Sequence, residues 1–278
     1  MKREQISVGS YTYPYHSLDF FLDSMQRLGV QKIELWAAEP HLYFADCNYY
    51  ESAQIAQKIA ARGIEVCCVT PEQCMYPINI GARSRDTRRR SVDFFRRAVD
   101  VAQQMSAPKV LVTSGHHNYD DSAQDCWNWC VESLGELADY AARRGVCLVF
   151  EPLVRPVDVV TRAEQARRML DEVDRYDSLK GMIDVDESAR FGQSPADFLR
   201  AFGLERFGHV HFIDGMPGGH LVPGEGALPM TRYLEELDQA GYTGDISLEI
   251  MNERYYAQPE QAIQKALDFF EEYLNTHN

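Results

Sequence analysis

Short apolar runs alternate along this chain with stretches in which apolar residues return every three or four positions. The runs cover residues 6–11, 32–36, 65–70, 109–113, 146–151, 180–184, 208–213 and 245–250, and their length and composition predict buried strands. Between them, helical spacing is carried by Leu18, Phe21, Met25 and Leu28, by Val92, Phe95, Val99 and Ala102, by Trp127, Cys130, Leu134 and Leu137, and by Ile263, Leu267 and Phe270. Leu28-Gly29, Arg62-Gly63, Arg144-Gly145 and Ala240-Gly241 read as helix stops, each followed within a few residues by the next strand. Strict strand-helix alternation with short connections implies a parallel sheet, and eight repeats predict its closure into an α/β fold, a (β/α)8 TIM barrel forming one domain over residues 1–278. An open dinucleotide-binding sheet fits less well. No glycine fingerprint follows the first strand, and Gly224-Glu225-Gly226 is too short to be one.

Four of the runs stop at a side chain able to bind metal. Glu151 closes Val146-Cys147-Leu148-Val149-Phe150, Asp184 closes Met182-Ile183, His211 closes His209-Val210, and Glu249 closes Ile246-Ser247-Leu248. One end of a parallel barrel is packed core and the C-terminal end does chemistry. The ends of strands five to eight therefore bring these four groups to one side of the active face. Three carboxylates and one imidazole make a hard, oxygen-rich set, which suits one divalent ion, Mn2+ first with Co2+, Mg2+ or Ni2+ as alternatives, better than a thiolate-loving zinc site does. A single carboxylate after a strand is as often a helix N-cap or a solvated loop residue. Four in succession favour the metal.

Composition narrows the partners. The 278 residues suit one barrel, and 45% hydrophobic content suits a chain with a real core. A formal charge of −14 repels a phosphate backbone, so neither nucleic acid nor an anionic membrane surface is an expected partner. The seven cysteines are odd in number and lie mostly in apolar segments, such as Cys67-Cys68 and the pair Cys126 and Cys130, which favours reduced core thiols. The chain starts Met1-Lys2-Arg3-Glu4 without an apolar stretch of signal-peptide or membrane-span length, so a soluble cytoplasmic protein is expected.

The phrases Phe150-Glu151-Pro152-Leu153, Met182-Ile183-Asp184, His209-Val210-His211 and Val222-Pro223-Gly224-Glu225-Gly226 occur in that order. They resemble the sugar isomerase/epimerase superfamily with a xylose isomerase-like barrel, most of all its fructoselysine 3-epimerase group. Ile33-Glu34-Leu35-Trp36, Thr70-Pro71-Glu72 and Tyr76-Pro77 extend the resemblance over nearly the whole chain. It implies a small-molecule sugar substrate, a homodimer or homotetramer, Glu151, Asp184, His211 and Glu249 as metal ligands, and Glu151 and Glu249 as the acid/base pair. The chemistry is consistent with those roles. Inverting a carbinol carbon beside a ketone requires removal of a weakly acidic proton, a cation to stabilise the enediolate, and a second carboxylate to return a proton to the other face.

Free-ketose 3-epimerases of this superfamily are expected to carry a histidine three residues after the strand-six aspartate and an arginine six residues after the strand-seven histidine. This chain has Glu187 and Pro217 there. That departure points to a ketose carrying an extra group, such as a fructosamine-type conjugate. The substrate-contact candidates are Trp36 at the end of strand two, Glu72 after strand three, His117 of the pair His116-His117 after strand four, Glu187, and His220 before the Pro223-Gly224-Glu225-Gly226 turn. Three of them have a plainer reading: packing for Trp36, capping for Glu72, a surface loop for His220. Glu34 is expected to be buried beneath Trp36. The arginines between Arg83 and Arg97 read as a solvated helix face in preference to an anion site.

Three other functions remain open. Inosose dehydration or sugar deglycosidation would reuse the same proton abstraction on the same fold. A DNA-repair endonuclease of the superfamily would need a histidine-rich multi-metal site and a basic groove, which the eight histidines and the net charge do not favour. A silent carbohydrate-binding subunit would have little use for both Glu151 and Glu249.

Overall fold

Each strand sequence carries apolar residues on both of its faces, and such a strand is stable only between two packed layers. A computed structural model of the chain, describing residues 1–44, 46–73, 77–155 and 158–277, arranges the strands accordingly. Strands β1 (Ile6–Gly9), β2 (Lys32–Ala37), β3 (Glu65–Pro71), β4 (Lys109–Thr113), β5 (Cys147–Glu151), β6 (Leu179–Asp184), β7 (Phe207–His211) and β8 (Ile246–Leu248) close in sequence order into a barrel. All neighbours are parallel, and β1 pairs β8 through Ile6 with Ile246 and Val8 with Leu248.

The helices are α1 (Leu18–Arg27), α2 (Tyr49–Ala60), α3 (Arg85–Gln104), α4 (Ala123–Ala142), α5 (Ala163–Val173), α6 (Val185–Ala189), α7 (Pro195–Phe202), α8 (Met230–Gln239) and α9 (Pro259–His277). Side-chain oxygens of Ser17, Asn48, Ser84 and Ser122 accept the first free amides of α1 to α4. The four glycines that read as stops take φ of 67°, 68°, 68° and 73°, the left-handed conformation that ends a helix without a Cβ clash. Among the described residues no helix is long and apolar enough to cross a membrane.

Alternation along the strands sorts side chains into two sets. Val110 and Val112 of β4, with Val8, Ile33, Leu148, Phe150, Ile183, Val210 and Leu248, join the helices in one large core. The opposite face lines the lumen. Cys67, Cys68, Leu111, Val149 and Met182 form a small separate apolar cluster there, and buried Ser7, Glu34, Lys109, Glu151, Asp184, His209, His211 and Ser247 are polar. Six cysteines, Cys47, Cys67, Cys68, Cys126, Cys130 and Cys147, are free thiols, while Cys74 and Tyr76 lie outside the described residues.

Three strands end earlier than their apolar runs do. β1 stops at Gly9 with Tyr11 in a 3-10 turn, β7 stops at His211, and β8 stops at Leu248, one residue before Glu249. The backbone leaves the ladder where its side chains turn to the site.

Candidate metal centre

Ladder register brings two of the four strand-end groups level. Asp184 is paired with His211 across β6 and β7, and His211 with Ser247 across β7 and β8. Glu151 ends β5 beside them, and Glu249 follows β8. One ligand atom from each of Glu151, Asp184, His211 and Glu249 can be chosen so that all four lie within 4.8 Å of one another. Donors about 2.0 to 2.2 Å from a shared ion are separated by roughly 3 to 4.4 Å, so small side-chain rotations would close the set.

Two atoms of the set are orphaned. Asp184 Oδ2 and His211 Nδ1 are buried without a hydrogen-bond partner among the described residues. His211 Nδ1 lies 2.8 Å from Glu249 Oε2 and 3.7 Å from Glu151 Oε1, while His220 Nε2 stands 3.5 Å from Asp184 Oδ2, ion-pair distances without hydrogen-bond geometry. Burying polar atoms unpaired is costly, and a cation is the partner this donor set fits. The other oxygen of Asp184 is occupied, accepting the amides of Asp186 (2.8 Å) and Glu187 (3.0 Å) as the N-cap of α6. Capping thus occupies one oxygen of Asp184 and leaves the other available for the metal role weighed for such a carboxylate.

Crowded buried acids hold protons unequally. Burial, and then the charges of Glu249, Asp184 and Glu187, push Glu151 well above the usual carboxylate range, against the pull of His211. Burial also raises Glu249, with His211 and His220 opposing it. Asp184 stays low because His220, His211 and the Glu187 amide outweigh its burial. For His211 burial acts downward, but Glu249 and Glu34 outweigh it and lift the imidazole well above its ordinary value.

His220 sits over the tetrad. Its Nε2 is 3.8 Å from Glu249 Oε2, its Nδ1 is 3.7 Å from Asp186 Oδ2, and its φ of 48° is left-handed. Burial would lower its pKa, but Asp184, Glu249 and Asp186 push it up to about 10. Asp186 accepts the amides of Gly218 and His220, and Met251 N–H donates to the His220 carbonyl (3.2 Å), so the strained backbone is held from both sides. Beyond it, Asp214 accepts four amides, from Gly215, Gly224, Gly226 and Leu228, at 2.8 to 3.0 Å. A Cβ at Gly226 would collide with that carboxylate.

Glu187 lies beside Asp184 and pairs with Arg190 at 3.3 Å; burial and Asp184 raise it to about 7. Trp36 stacks on Tyr11 with ring centroids 5.6 Å apart, and Tyr11 presents its ring at 72° to His211. Glu72 accepts the Trp36 indole N–H at 3.2 Å, so its first contact is with the neighbouring candidate. His117 is placed elsewhere. It lines a cavity of about 530 Å³ with Asn79, Arg83, Asp121 and Trp129, and its ring nitrogen lies 2.7 Å from the Asn118 carbonyl.

Tyr11, Asp186, Asp214 and His209 were not among the expected functional residues. Glu34 is buried as expected, but its carboxylate takes the Nε2–H groups of His209 (2.8 Å) and His211 (2.9 Å), the Tyr11 hydroxyl (3.0 Å) and the Thr70 hydroxyl. Glu34, Cys68 and His209 also lie close enough to hold an ion. Those four hydrogen bonds account for the carboxylate without one. The spacing His209-Val210-His211, two residues on one strand face, was the available signal.

The xylose isomerase-like TIM barrel family matches residues 22–273. Fructoselysine 3-epimerase of Shigella flexneri is 28% identical over 246 residues, covering 87% of this chain and 88% of that protein. The D-psicose 3-epimerase of Clostridium cellulolyticum H10, solved with D-tagatose, superposes with a TM-score of 0.80 at 18% identity, covering 97% of this chain and 99% of that one. The IOLI protein, solved with a zinc atom, superposes at 0.82 with 19% identity, covering 99% of both. With a family match that extends over nearly all of the barrel, the chain belongs to the xylose isomerase-like TIM barrel family.

Proposed function

We propose that this chain is a divalent-metal-dependent 3-epimerase of a ketose conjugate of the fructosamine type, with Glu151 and Glu249 as its acid/base pair. The observation that carries the reading is the uneven exposure of the tetrad. The side chains of Asp184 and His211 are 1% and 0% exposed, while Glu151 and Glu249 keep 8% and 12%. The closed pair is suited to holding an ion, and the two carboxylates that keep some exposure are suited to exchanging protons with a substrate.

A divalent ion held by the tetrad, Mn2+ in this reading, would supply positive charge for the oxyanion that develops beside the reacting carbon. Glu151 and Glu249 do the remaining work. One takes the proton from C3, which is acidified by the C2 carbonyl, and the other returns a proton to the opposite face of the flat enediolate, so that the carbon inverts. Burial raises both carboxyls, with repulsion from neighbouring carboxylates adding to it, so either holds a proton more firmly than a free carboxylate does.

The acidic surroundings support a cationic substituent. Glu187 stands beside Asp184, Glu72 is held by Trp36, and Pro217 occupies the position where an arginine was expected. A secondary ammonium at C1 would meet carboxylates at about 1.5 to 3 kcal/mol for each charge-assisted contact that is shielded from water. The similarity to fructoselysine 3-epimerase points the same way.

Comparing kcat/KM for fructoselysine, fructose and psicose with the same Mn2+-loaded protein, C3 inversion being followed by NMR, tests the reading. The expected preference for the conjugate is ~10- to 100-fold, one or two steps of about 1.4 kcal/mol. Equal or faster inversion of a free hexulose would overturn the conjugate, and no inversion of any of the three would overturn the epimerase.

A further inference from the structure

Barrel lumens are ordinarily filled with branched apolar side chains, and isolated buried charges are costly. Beside its small apolar cluster, this lumen holds a line of polar groups. At the N-terminal end, Lys32 opens β2, Lys109 opens β4 and Asp245 precedes β8. Asp245 accepts from Lys32 Nζ at 2.7 Å and from Lys109 Nζ. Lys109 Nζ also reaches His209 Nδ1 (3.3 Å), His209 Nε2 reaches Glu34 Oε2 (2.8 Å), and Glu34 Oε1 reaches His211 Nε2 (2.9 Å). Glu34, His209 and His211 are fully buried, and Lys109 is 9% exposed.

Each link leaves one choice. An ammonium can only donate, so His209 Nδ1 accepts and its proton sits on Nε2. That proton is given to Glu34, an acceptor on both oxygens. His211 must therefore donate from Nε2, which turns Nδ1 toward Glu151, Asp184 and Glu249. Nδ1 is the orphaned nitrogen. Replacing a hydrogen-bond partner behind a histidine ligand costs metal affinity because the ring loses its tautomer and its aim.

We propose that this axial chain, from Asp245 and Lys109 through His209 to Glu34, is the positioning device of the metal centre. Glu34 and His209 are positioning residues that present His211 Nδ1 as a ligand, and the orientation is set from the opposite end of the barrel. The inference rests on the tetrad being a metal site.

Calorimetric titration of the metal-free protein with Mn2+, without substrate, tests it. Wild-type binding establishes the site itself, and the ratio of variant to wild-type affinity tests the chain. Glu34→Gln places an amide where two N–H groups need acceptors, and its affinity should fall ~10- to 100-fold. His209→Gln keeps one amide donor for Glu34 and one carbonyl for Lys109, and should bind within about threefold of wild type; His209→Leu fills the space without either group and should lose ~10-fold or more. A purely packing role would not separate Gln from Leu. A folded Glu34→Gln with unchanged affinity would overturn the proposal. Should that variant not fold, His209→Leu binding as tightly as wild type would overturn it equally. A wild-type protein that binds no Mn2+ would overturn the metal centre, and the chain's purpose with it.

Discussion

Glu151 and Glu249 share a site with Asp184, yet the three carboxylates are held differently. Asp184 spends one oxygen on two amides of α6 and leaves the other bare and buried. In the proposed site it is the fixed ligand. Asp184→Asn keeps the capping oxygen and removes the charge, so thermal melts should lose most of the metal-dependent rise in Tm while the metal-free Tm changes little. Glu151→Gln and Glu249→Gln keep a ligand oxygen but no base, and turnover under saturating metal should fall at least ~100-fold for each. Because inversion needs both faces, each variant should be impaired from either epimer. Normal inversion by either variant would exclude the two-carboxylate mechanism.

The loops that carry the site are held by buried acids. Asp214 gathers the amides of residues 215–228 around one carboxylate, so Asp214→Ala should strand several N–H groups. Hydrogen exchange should accelerate at Gly224, Gly226 and Leu228 while β7 stays protected. Elsewhere, His41 stacks on Phe21 of α1, and its Nε2 lies 3.1 Å from the His16 carbonyl; burial lowers its pKa from 6.5 to about 4. The unfolded chain therefore binds the proton that the folded one refuses. Folding stability should fall as pH drops from about 6.5 toward 4, by up to about 3 kcal/mol from this group. Urea denaturation of wild type and His41→Gln across that range would show it, with the variant losing part of the slope.

At the same scale, all eight strands were legible because burial on both faces makes their composition distinctive, whereas several helices were less so. α2 buries only Ser52 and Ile59, α6 has five residues, and the inward stripe of α5 is partly alanine. The tetrad was legible because each member stands at the end of an apolar run. The Glu34–His209 contact was not, since its partners are 175 positions apart and meet only when the barrel closes. For His117, alternation after β4 left a choice between two directions, and the loop turns the ring into a separate cleft.

Over the whole molecule, closure of the barrel is what assembles the site, since the four proposed ligands come from β5 to β8 and their turns and the supporting glutamate from β2. An ion bound to the folded chain alone therefore stabilises all of it. At a hundred times Kd the linkage is about 2.7 kcal/mol, or a Tm rise of about 5 °C for a chain of this size. The Mn2+-loaded protein incubated in D2O with fructoselysine, fructose and psicose, and read by NMR at C3, tests the central claim most directly. The account predicts deuterium at C3 of the inverted epimer, abolished by chelation and reduced at least ~100-fold by Glu151→Gln or Glu249→Gln. Protein that binds Mn2+ at the tetrad yet leaves C3 of all three sugars undeuterated would contradict it.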